Sequence, residues 1–269
     1  MDFKALNSQY RGYLNTPNLW FGRDIYNLQQ LELQTQLPTS FNETISPTIR
    51  LGKRVEQFVF HQLKQHPQVS ILAENIQIQK DKLTLGEIDG LLLINKQPVH
   101  LEIVYKFYVY DESVGTTELD HWIGPNRKDS LVEKLDKLKN KQLPLLYRTD
   151  TLSYLQKYQL EIEQIEQKVL FKAQLFLPYL SSKTHFQSIN KACISGCYLK
   201  KTDLQNFKDC KFHIPNKANW LMEPHAQVSW QLYPSFMEDI SPVLEQQTSR
   251  LVWIKHPNGL VEKCFIVWW

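Results

Sequence analysis

The pattern of apolar and polar residues predicts an amphipathic helix between Ser46 and Pro67. The apolar residues that recur at helical spacing in this stretch are Leu51, Val55, Phe58, Val59 and Leu63. Pro47 directly follows Ser46 and suits the first position of a helix, and Pro67 closes it. One face of this helix is therefore expected to pack on a core.

Beyond this helix the apolar period changes to that of β-strands. The segments VSILA, NIQIQK, LGEIDGLLLI and VHLEIVYKFYVY alternate or run apolar, and NKQP separates the last two. A second helix is predicted from Ser130 to Lys141, because Ser130 and Glu133 have the spacing of a capping box and leucines recur behind them. The order of helix, strands and helix predicts an α/β domain around a mixed central sheet flanked by helices.

Three segments are expected along the chain. Residues 1–44 are aromatic and amide-rich and predict an N-terminal helical layer that includes the helix DIYNLQQLEL. Residues 45–150 form the α/β core, and residues 151–269 form an α+β extension that packs on it. In this extension LFLPYL predicts a strand and RLVWIKHPNGLVEKCFIVWW predicts a hairpin, whose Asn258-Gly259 pair suits a type I′ turn.

Composition limits the class of protein. The chain has 269 residues, of which 42% are hydrophobic, so it can bury a core and is not intrinsically disordered. No apolar run reaches the roughly 18 residues of a membrane span, and the first residues lack the layout of a secretory signal, so we expect a cytoplasmic protein. The four cysteines form no C-x-x-C pair, which favours reduced structural thiols over disulfides or zinc.

The positive charge is concentrated in one stretch. The chain has 31 basic and 28 acidic residues, and residues 121–150 alone hold seven bases against four acids. Lys134, Lys137 and Lys141 on the predicted helix are the candidates for contacts with a polyanion. A solvated helix face produces the same count, so both interpretations stay open.

The candidate chemistry lies on the hairpin around NKQP. If NKQP forms a four-residue loop, Asp89 and Glu102 are diagonal neighbours on one face, with Cβ atoms about 7 Å apart. A two-residue loop places them directly opposite each other but puts Pro98 inside the ladder, where its missing N–H is a cost. A three-residue loop sends one carboxylate to the other face. Two carboxylates that converge in this way can bind Mg²⁺ or Mn²⁺, and oxygens of substrate phosphates then complete the coordination of the ion.

These residues resemble the PD-(D/E)XK nuclease superfamily. The motifs TLGEIDGLLL, VHLEIVYKFYV and HWIGPNRKDSLVEKLDKLKNKQL are similar to those of a bacterial family that is described only as a domain of unknown function and is grouped with that superfamily. The resemblance implies a restriction-endonuclease-like core and metal-dependent hydrolysis of nucleic acid, with DNA favoured over RNA. It matches Asp89 and Glu102 to the metal-binding carboxylates, Glu56 to the helix glutamate and Lys106 to the catalytic lysine.

One departure from the superfamily pattern concerns the lysine. Val104 occupies the usual position two residues after the acid, and Lys106 lies two residues further along. Lys53 and Lys134 are therefore alternative donors. The displaced lysine also leaves open a nucleic-acid-binding module that has lost cleavage, or a scaffold for a protein partner.

The remaining candidates have simpler interpretations. Without the resemblance, Asp89 and Glu102 are the solvent face of an amphipathic hairpin. His100 and His121 are more typical of structural histidines than of ligands, and the tryptophans are more typical of packing than of base stacking.

Overall fold

A computed structural model describes residues 3–32, 40–181 and 185–269. The α-helices in these ranges are α1 (Phe3–Asn15), α2 (Leu51–Lys64), α3 (Leu131–Lys137), α4 (Thr149–Lys157) and α5 (Tyr233–Glu245). The strands are β1 (Val69–Lys80), β2 (Leu83–Ile94), β3 (Gln97–Tyr110), β4 (Trp122–Ile123), β5 (Glu166–Pro178), β6 (Ile194–Lys200), β7 (Lys211–His213), β8 (Gln231–Leu232), β9 (Arg250–Lys255) and β10 (Val261–Val267). No helix of these ranges is long and apolar enough to cross a membrane.

The strands form a large mixed sheet. Its order is β1-β2-β3-β5-β6-β10-β9-β7-β8, and β4 pairs with β3 outside this path. The pairs β5–β6 and β6–β10 are parallel, whereas β1–β2, β2–β3 and β9–β10 are antiparallel. The predicted α/β class with a mixed sheet flanked by helices is confirmed.

Backbone contacts divide the chain into two compact units. The first unit comprises Met1–Pro17, Lys106–Val132 and Ala173–Trp269, and the second comprises Asn18–Tyr105 and Glu133–Lys172. Each unit contains segments that are distant in sequence. The division at residues 44 and 150 that the sequence predicts stays a prediction.

The core of the second unit lies beneath the β1–β2 hairpin. Its buried cluster consists of Ile76, Ile78, Ile88, Leu91, Leu145, Leu146, Leu155 and Ile165. In the same unit α2 buries the face that the sequence predicts, with Val55, Phe58, Val59 and Leu63. Apolar periodicity thus identified which side of α2 is buried.

The predicted start of α2 at Pro47 is wrong. The backbone N–H of Ile49 donates to the carbonyl oxygen of Ser46 at 3.3 Å, which closes a turn before the helix. The guanidinium of Arg54 donates to the same carbonyl oxygen at 3.2 Å. The helix therefore begins at Leu51, after this local turn.

The helix predicted at DIYNLQQLEL is also wrong for residues 24–32, and its last residue lies outside the described ranges. Tyr26 and Asn27 have φ angles of 52° and 57°, which interrupt a right-handed helix. The backbone N–H of Leu31 donates to the Val169 carbonyl oxygen at 2.8 Å, and that of Val169 donates to Gln29 at 2.9 Å. Pairing with β5 has replaced the local helical bonds.

The β2–β3 connection has two residues, so the favoured four-residue loop is wrong. Ile94 pairs with Gln97. Asn95 and Lys96 have φ angles of 50° and 70°, as a type I′ turn requires. Such a turn matches the twist of the strands, and Pro98 is accommodated opposite Leu93. Because the connection has an even number of residues, Asp89 and Glu102 remain on one face of the hairpin.

The first unit has its own core under α5. Its buried residues include Leu199, Phe207, Phe212, Phe236, Ile240, Val252, Ile254 and Ile266. The predicted β9–β10 hairpin is present, but its type I′ turn is wrong because only Gly259, with φ of 88°, is left-handed. The Gly259 N–H donates to His256 at 2.9 Å, and Pro257 suits the next position of that turn.

Some tryptophans pack in the interior, as the sequence predicts, whereas Trp230, Trp268 and Trp269 are half-buried. Trp122, Trp220 and Trp253 are buried in the first unit. The Trp220 ring meets Phe265 edge-on, with centroids 5.3 Å apart. These side chains contribute to packing.

Candidate metal centre

A cleft of about 480 Å³ opens in the second unit. The residues that line it are Lys53, Glu56, Leu85, Gly86, Glu87, Asp89, Ile103, Lys134, Lys137, Lys141, Gln142 and Leu145. The structure thus brings together Glu56, Asp89 and the three lysines of the predicted basic helix. Residues that the sequence separates by almost ninety positions share one cavity wall.

Strand geometry positions the acids of β2. Glu87 and Asp89 are two residues apart on one strand, so their side chains point to the same face. The register of β2 with β3 ends at Gly90 and Leu101, and Asp89 and Glu102 are the next residues, close enough for their charges to interact. Asp89 accepts a hydrogen bond from the backbone N–H of Ile103 through Oδ2 at 2.8 Å.

Asp89 is an acid in an environment that disfavours its charge. Its side chain is only 8% exposed. Burial, followed by repulsion from Glu102, raises the pKa of Asp89 to about 7, although the Ile103 hydrogen bond opposes the shift. Burial also raises the pKa of Glu56. A bound cation would relieve the cost of holding these carboxylates ionised side by side.

Glu102 does not line the cleft, and it is fully buried in a chain of hydrogen bonds. Its Oε1 lies 3.0 Å from Nε2 of His100, and its Oε2 accepts from Gln142 at 2.5 Å. Lys134 in turn donates to Oε1 of Gln142 at 2.6 Å. The carboxylate is therefore coupled through Gln142 to a lysine of the cleft wall.

The tautomer of His100 follows from its second partner. The amide nitrogen of Gln167 donates to the Leu143 carbonyl oxygen at 2.6 Å and lies 3.0 Å from Nδ1 of His100. Because that amide nitrogen is a donor, Nδ1 accepts and Nε2 carries the proton that is donated to Glu102. His100 is thus a buried partner of Glu102, in agreement with the structural role that the sequence favours.

Lys53 is the cation that the carboxylates of the cleft hold. Its ammonium group contacts Glu56 at 2.7 Å, Asn75 at 2.8 Å and also Glu87. Although burial opposes the shift, hydrogen bonds to Glu56 and Glu87 raise the pKa of Lys53. A positive charge is therefore already held where these two acids converge.

Lys106 does not line this cleft. It belongs to the first unit, where its ammonium group pairs with Asp129 at 2.5 Å. His121 is in the same unit and contacts the Val114 carbonyl oxygen at 2.7 Å through Nδ1, which is a structural contact. Val104, at the usual position of the superfamily lysine, is buried.

Sequence reasoning missed two residues of the site. Glu87 could have been found, because it precedes Asp89 by two residues in GEID and an alternating strand puts both on one face. Gln142 gives no local signal in the sequence. It reaches Glu102 because the chain continues from α3 as a π-helical turn, Leu138–Gln142.

The donor atoms fit a cation held by a pair of carboxylates. Among the described residues, no three acids of the cleft have ligand oxygens within 4.8 Å of one another. Mg²⁺ usually keeps several waters and binds one or two carboxylates plus substrate phosphates. Asp89 with Glu102 or Glu56 therefore suits Mg²⁺ or Mn²⁺ rather than a cation that needs an all-protein cage.

Comparison with protein families identifies a match over almost the whole chain. A family model described as "Domain of unknown function (DUF1853)" matches residues 8–266. No curated protein and no solved structure matches the chain.

Proposed function

We propose that this chain, which belongs to the DUF1853 family, is a nuclease of the PD-(D/E)XK type that hydrolyses phosphodiester bonds in nucleic acid, DNA before RNA, with Mg²⁺ or Mn²⁺. The observation that carries the proposal is Asp89. It is a buried acid with a raised pKa, beside Glu102 and in a cleft walled by lysines. Perturbed acids in clefts are typical of functional sites.

In this proposal Asp89 and Glu102 hold the divalent cation, and Glu56 completes or tunes the site. When bound, the cation would supply a more acidic water and neutralise charge on phosphoryl oxygens. Hydrogen bonds from His100 and Gln142 keep the Glu102 carboxylate oriented. The buried network therefore fixes the carboxylate before the cation binds.

The lysines of the cleft bind the substrate backbone. Lys134, Lys137 and Lys141 line the same wall and supply positive charge for phosphates. We assign the positioning of the attacking water to Lys53 rather than to Lys106, because Lys53 lines the cleft and already contacts Glu56. Binding of a cation to the carboxylates would release the Lys53 ammonium for this role.

The test is cleavage of plasmid DNA, single-stranded DNA and RNA with Mn²⁺ or Mg²⁺. We expect Asp89→Asn to reduce cleavage by at least about 100-fold, because it removes a ligand charge. Lys53→Met should reduce cleavage as well, whereas Lys106→Met should not. The matched control is Asp136→Asn, an exposed acid of α3. Equal cleavage by wild type and Asp89→Asn would refute the proposal.

One observation favours a second candidate, a nucleic-acid-binding module without cleavage. Both oxygens of Glu102 already accept hydrogen bonds, which competes with a metal for its lone pairs. Such a protein would bind nucleic acid in a salt-dependent way, with no product in Mn²⁺. Binding that is unchanged in Asp89→Asn together with no cleavage by wild type would select this function.

A further inference from the structure

Two cysteines meet in the first unit although 67 positions separate them. Cys197 on β6 and Cys264 on β10 are direct partners in a parallel pair of strands. Their Sγ atoms are 3.0 Å apart. A disulfide requires about 2.05 Å, so these are two thiols in contact.

A carboxylate completes this group. Glu262 precedes Cys264 by two residues on β10, so both side chains lie on the same face of the strand. One oxygen of Glu262 and the two Sγ atoms all lie within 4.8 Å of one another. Among the described residues, this is the only group of three or more such ligands at that spacing. We call Cys197, Glu262 and Cys264 the thiol cluster.

His256 contacts the Glu262 carboxylate of the thiol cluster. Its Nε2 lies 2.5 Å from Oε1 of Glu262, and its Nδ1 lies 3.6 Å from Sγ of Cys210. The backbone N–H of His256 donates to Leu260 at 2.9 Å, which anchors the histidine in the hairpin. A partner that orients a ligating carboxylate in this way is typical of metal sites.

The cluster is buried at one end and open at the other. Cys264 is fully buried and Cys197 is half-buried, whereas the side chains of His256 and Glu262 are 25% and 33% exposed. An ion can therefore enter from the Glu262 side. The same opening can supply a water as a further ligand.

The donor atoms select the kind of ion. Mg²⁺ takes oxygen ligands, whereas two thiolates with one carboxylate suit a thiophilic ion such as Zn²⁺. Zn–S bonds of about 2.3 Å in a tetrahedron place two sulfur atoms about 3.8 Å apart. The observed separation of 3.0 Å would have to widen by less than about 1 Å, a small side-chain adjustment.

We propose that Cys197, Cys264 and Glu262 form a Zn²⁺ site, in which His256 is a positioning residue for Glu262 and solvent completes the coordination. Binding exchanges the two thiol protons for the cation, so that two protons leave for each ion bound when both thiols are protonated. Affinity therefore rises with pH. This site is independent of the proposed nuclease function, since its residues lie in the other unit.

The test uses the full chain, reduced and stripped of metal, titrated with Zn²⁺ against a chromophoric chelator. We expect wild type to bind one Zn²⁺ tightly at this site and Cys197→Ser to bind it at least about 100-fold more weakly. His256→Ala should weaken binding about 10- to 100-fold. Cys193→Ser, a buried cysteine outside the cluster, and Asp136→Asn, an exposed acid of the other unit, are the controls, and both should bind Zn²⁺ as wild type does.

A second readout keeps the proposal falsifiable if a variant folds poorly. Cd²⁺ should produce sulfur-to-metal charge-transfer absorption in wild type, smaller in Cys197→Ser and unchanged in Cys193→Ser. Zn²⁺ should raise the melting temperature of wild type and Cys193→Ser but not that of Cys197→Ser. The proposal is overturned if wild type binds no Zn²⁺, if Cys197→Ser binds it equally, or if Cd²⁺ shows no sulfur absorption.

Discussion

Each unit brings together ionisable side chains from two strands, but the donor atoms are oxygens in the second unit and mainly sulfurs in the first. In the second unit β2 and β3 place Asp89 beside Glu102, next to a cleft with lysines. In the first unit β6 and β10 place Cys197 against Cys264. Neighbouring strands are the common cause, since side chains on one face of two adjacent strands lie within interaction distance. Oxygen donors suit a hard ion and sulfur donors a soft one, so the two proposed sites would take two different classes of cation.

The two groups also share an unfavourable electrostatic state. The pKa of Asp89 is raised to about 7 by burial and by Glu102. The pKa of Cys264 is raised by its hydrogen bond to Cys197 and by burial. Each group can lower this electrostatic cost either by protonation of the acid or thiol or by binding a cation. The comparison predicts that each group responds to its own ion and not to that of the other.

The largest expected effect tests the carboxylate side of this comparison. Glu102→Ala leaves His100 and Gln142 without their shared buried acceptor, so we expect the free energy of unfolding to fall by about 3 kcal/mol. Urea denaturation at pH 7 measures this, with Asp136→Asn as the exposed control. A loss below about 1 kcal/mol would mean that the network contributes little to stability.

The second test concerns Lys263, which lies between two members of the thiol cluster but points to the other face of β10. Its ammonium nitrogen contacts Gln174 at 2.8 Å and the Trp220 carbonyl oxygen at 3.0 Å, and burial lowers the pKa of Lys263 to about 7. An unfolded lysine titrates near 10.4, so stability is lost as the pH falls from about 10 towards 7.

The contribution of Lys263 to this loss amounts to about 2 to 3 kcal/mol between pH 9 and pH 6. Lys263→Met removes the titrating group, so its unfolding free energy should vary less over that interval. Urea unfolding at several pH values measures the difference, and Lys255→Met is the control on the neighbouring strand. Parallel pH profiles for wild type and Lys263→Met would contradict the prediction.

The third test makes the opposite prediction for the second unit. The pKa of Asp89 is about 7 in the folded chain and near 3.8 when unfolded, so the contribution of Asp89 to stability is full below about pH 4 and is lost as the pH rises towards 7. We expect a loss of about 2 kcal/mol between pH 5 and pH 7. Asp89→Asn should lack this loss, and Mn²⁺ should reduce it in wild type but not in the variant.

The smallest expected effect sharpens the role of the lysines. If Lys137 and Lys141 contact phosphates, each substitution by glutamine should reduce the salt slope of nucleic-acid binding by about one. Fluorescence anisotropy at several salt concentrations measures the slope. Lys208→Gln, an exposed lysine of the first unit, is the control and should leave the slope unchanged.

Much of the second unit could be predicted from local pattern. Apolar spacing identified the buried face of α2, and alternation identified β2, β3 and the placement of Asp89 and Glu102 on one face of the hairpin, although as diagonal neighbours. The two-residue turn could not be preferred, because the cost of Pro98 in the ladder argued against it. Lys106 matched the superfamily pattern by proximity in sequence, yet its ammonium group pairs with Asp129.

The sequence by itself determined the helices and strands with strong periodicity, the mixed α/β class and the acids of the hairpin, because those depend on neighbours a few residues away. Only the tertiary structure decided that Gln29 and Leu31 bond to Val169 of β5, that Gln142 reaches Glu102 and that Cys197 meets Cys264. These contacts join residues far apart in the chain. The local spacing of apolar residues does not specify which strands become neighbours in the sheet. Burial then sets the charge of the groups so assembled, because desolvation depends on the whole surrounding fold.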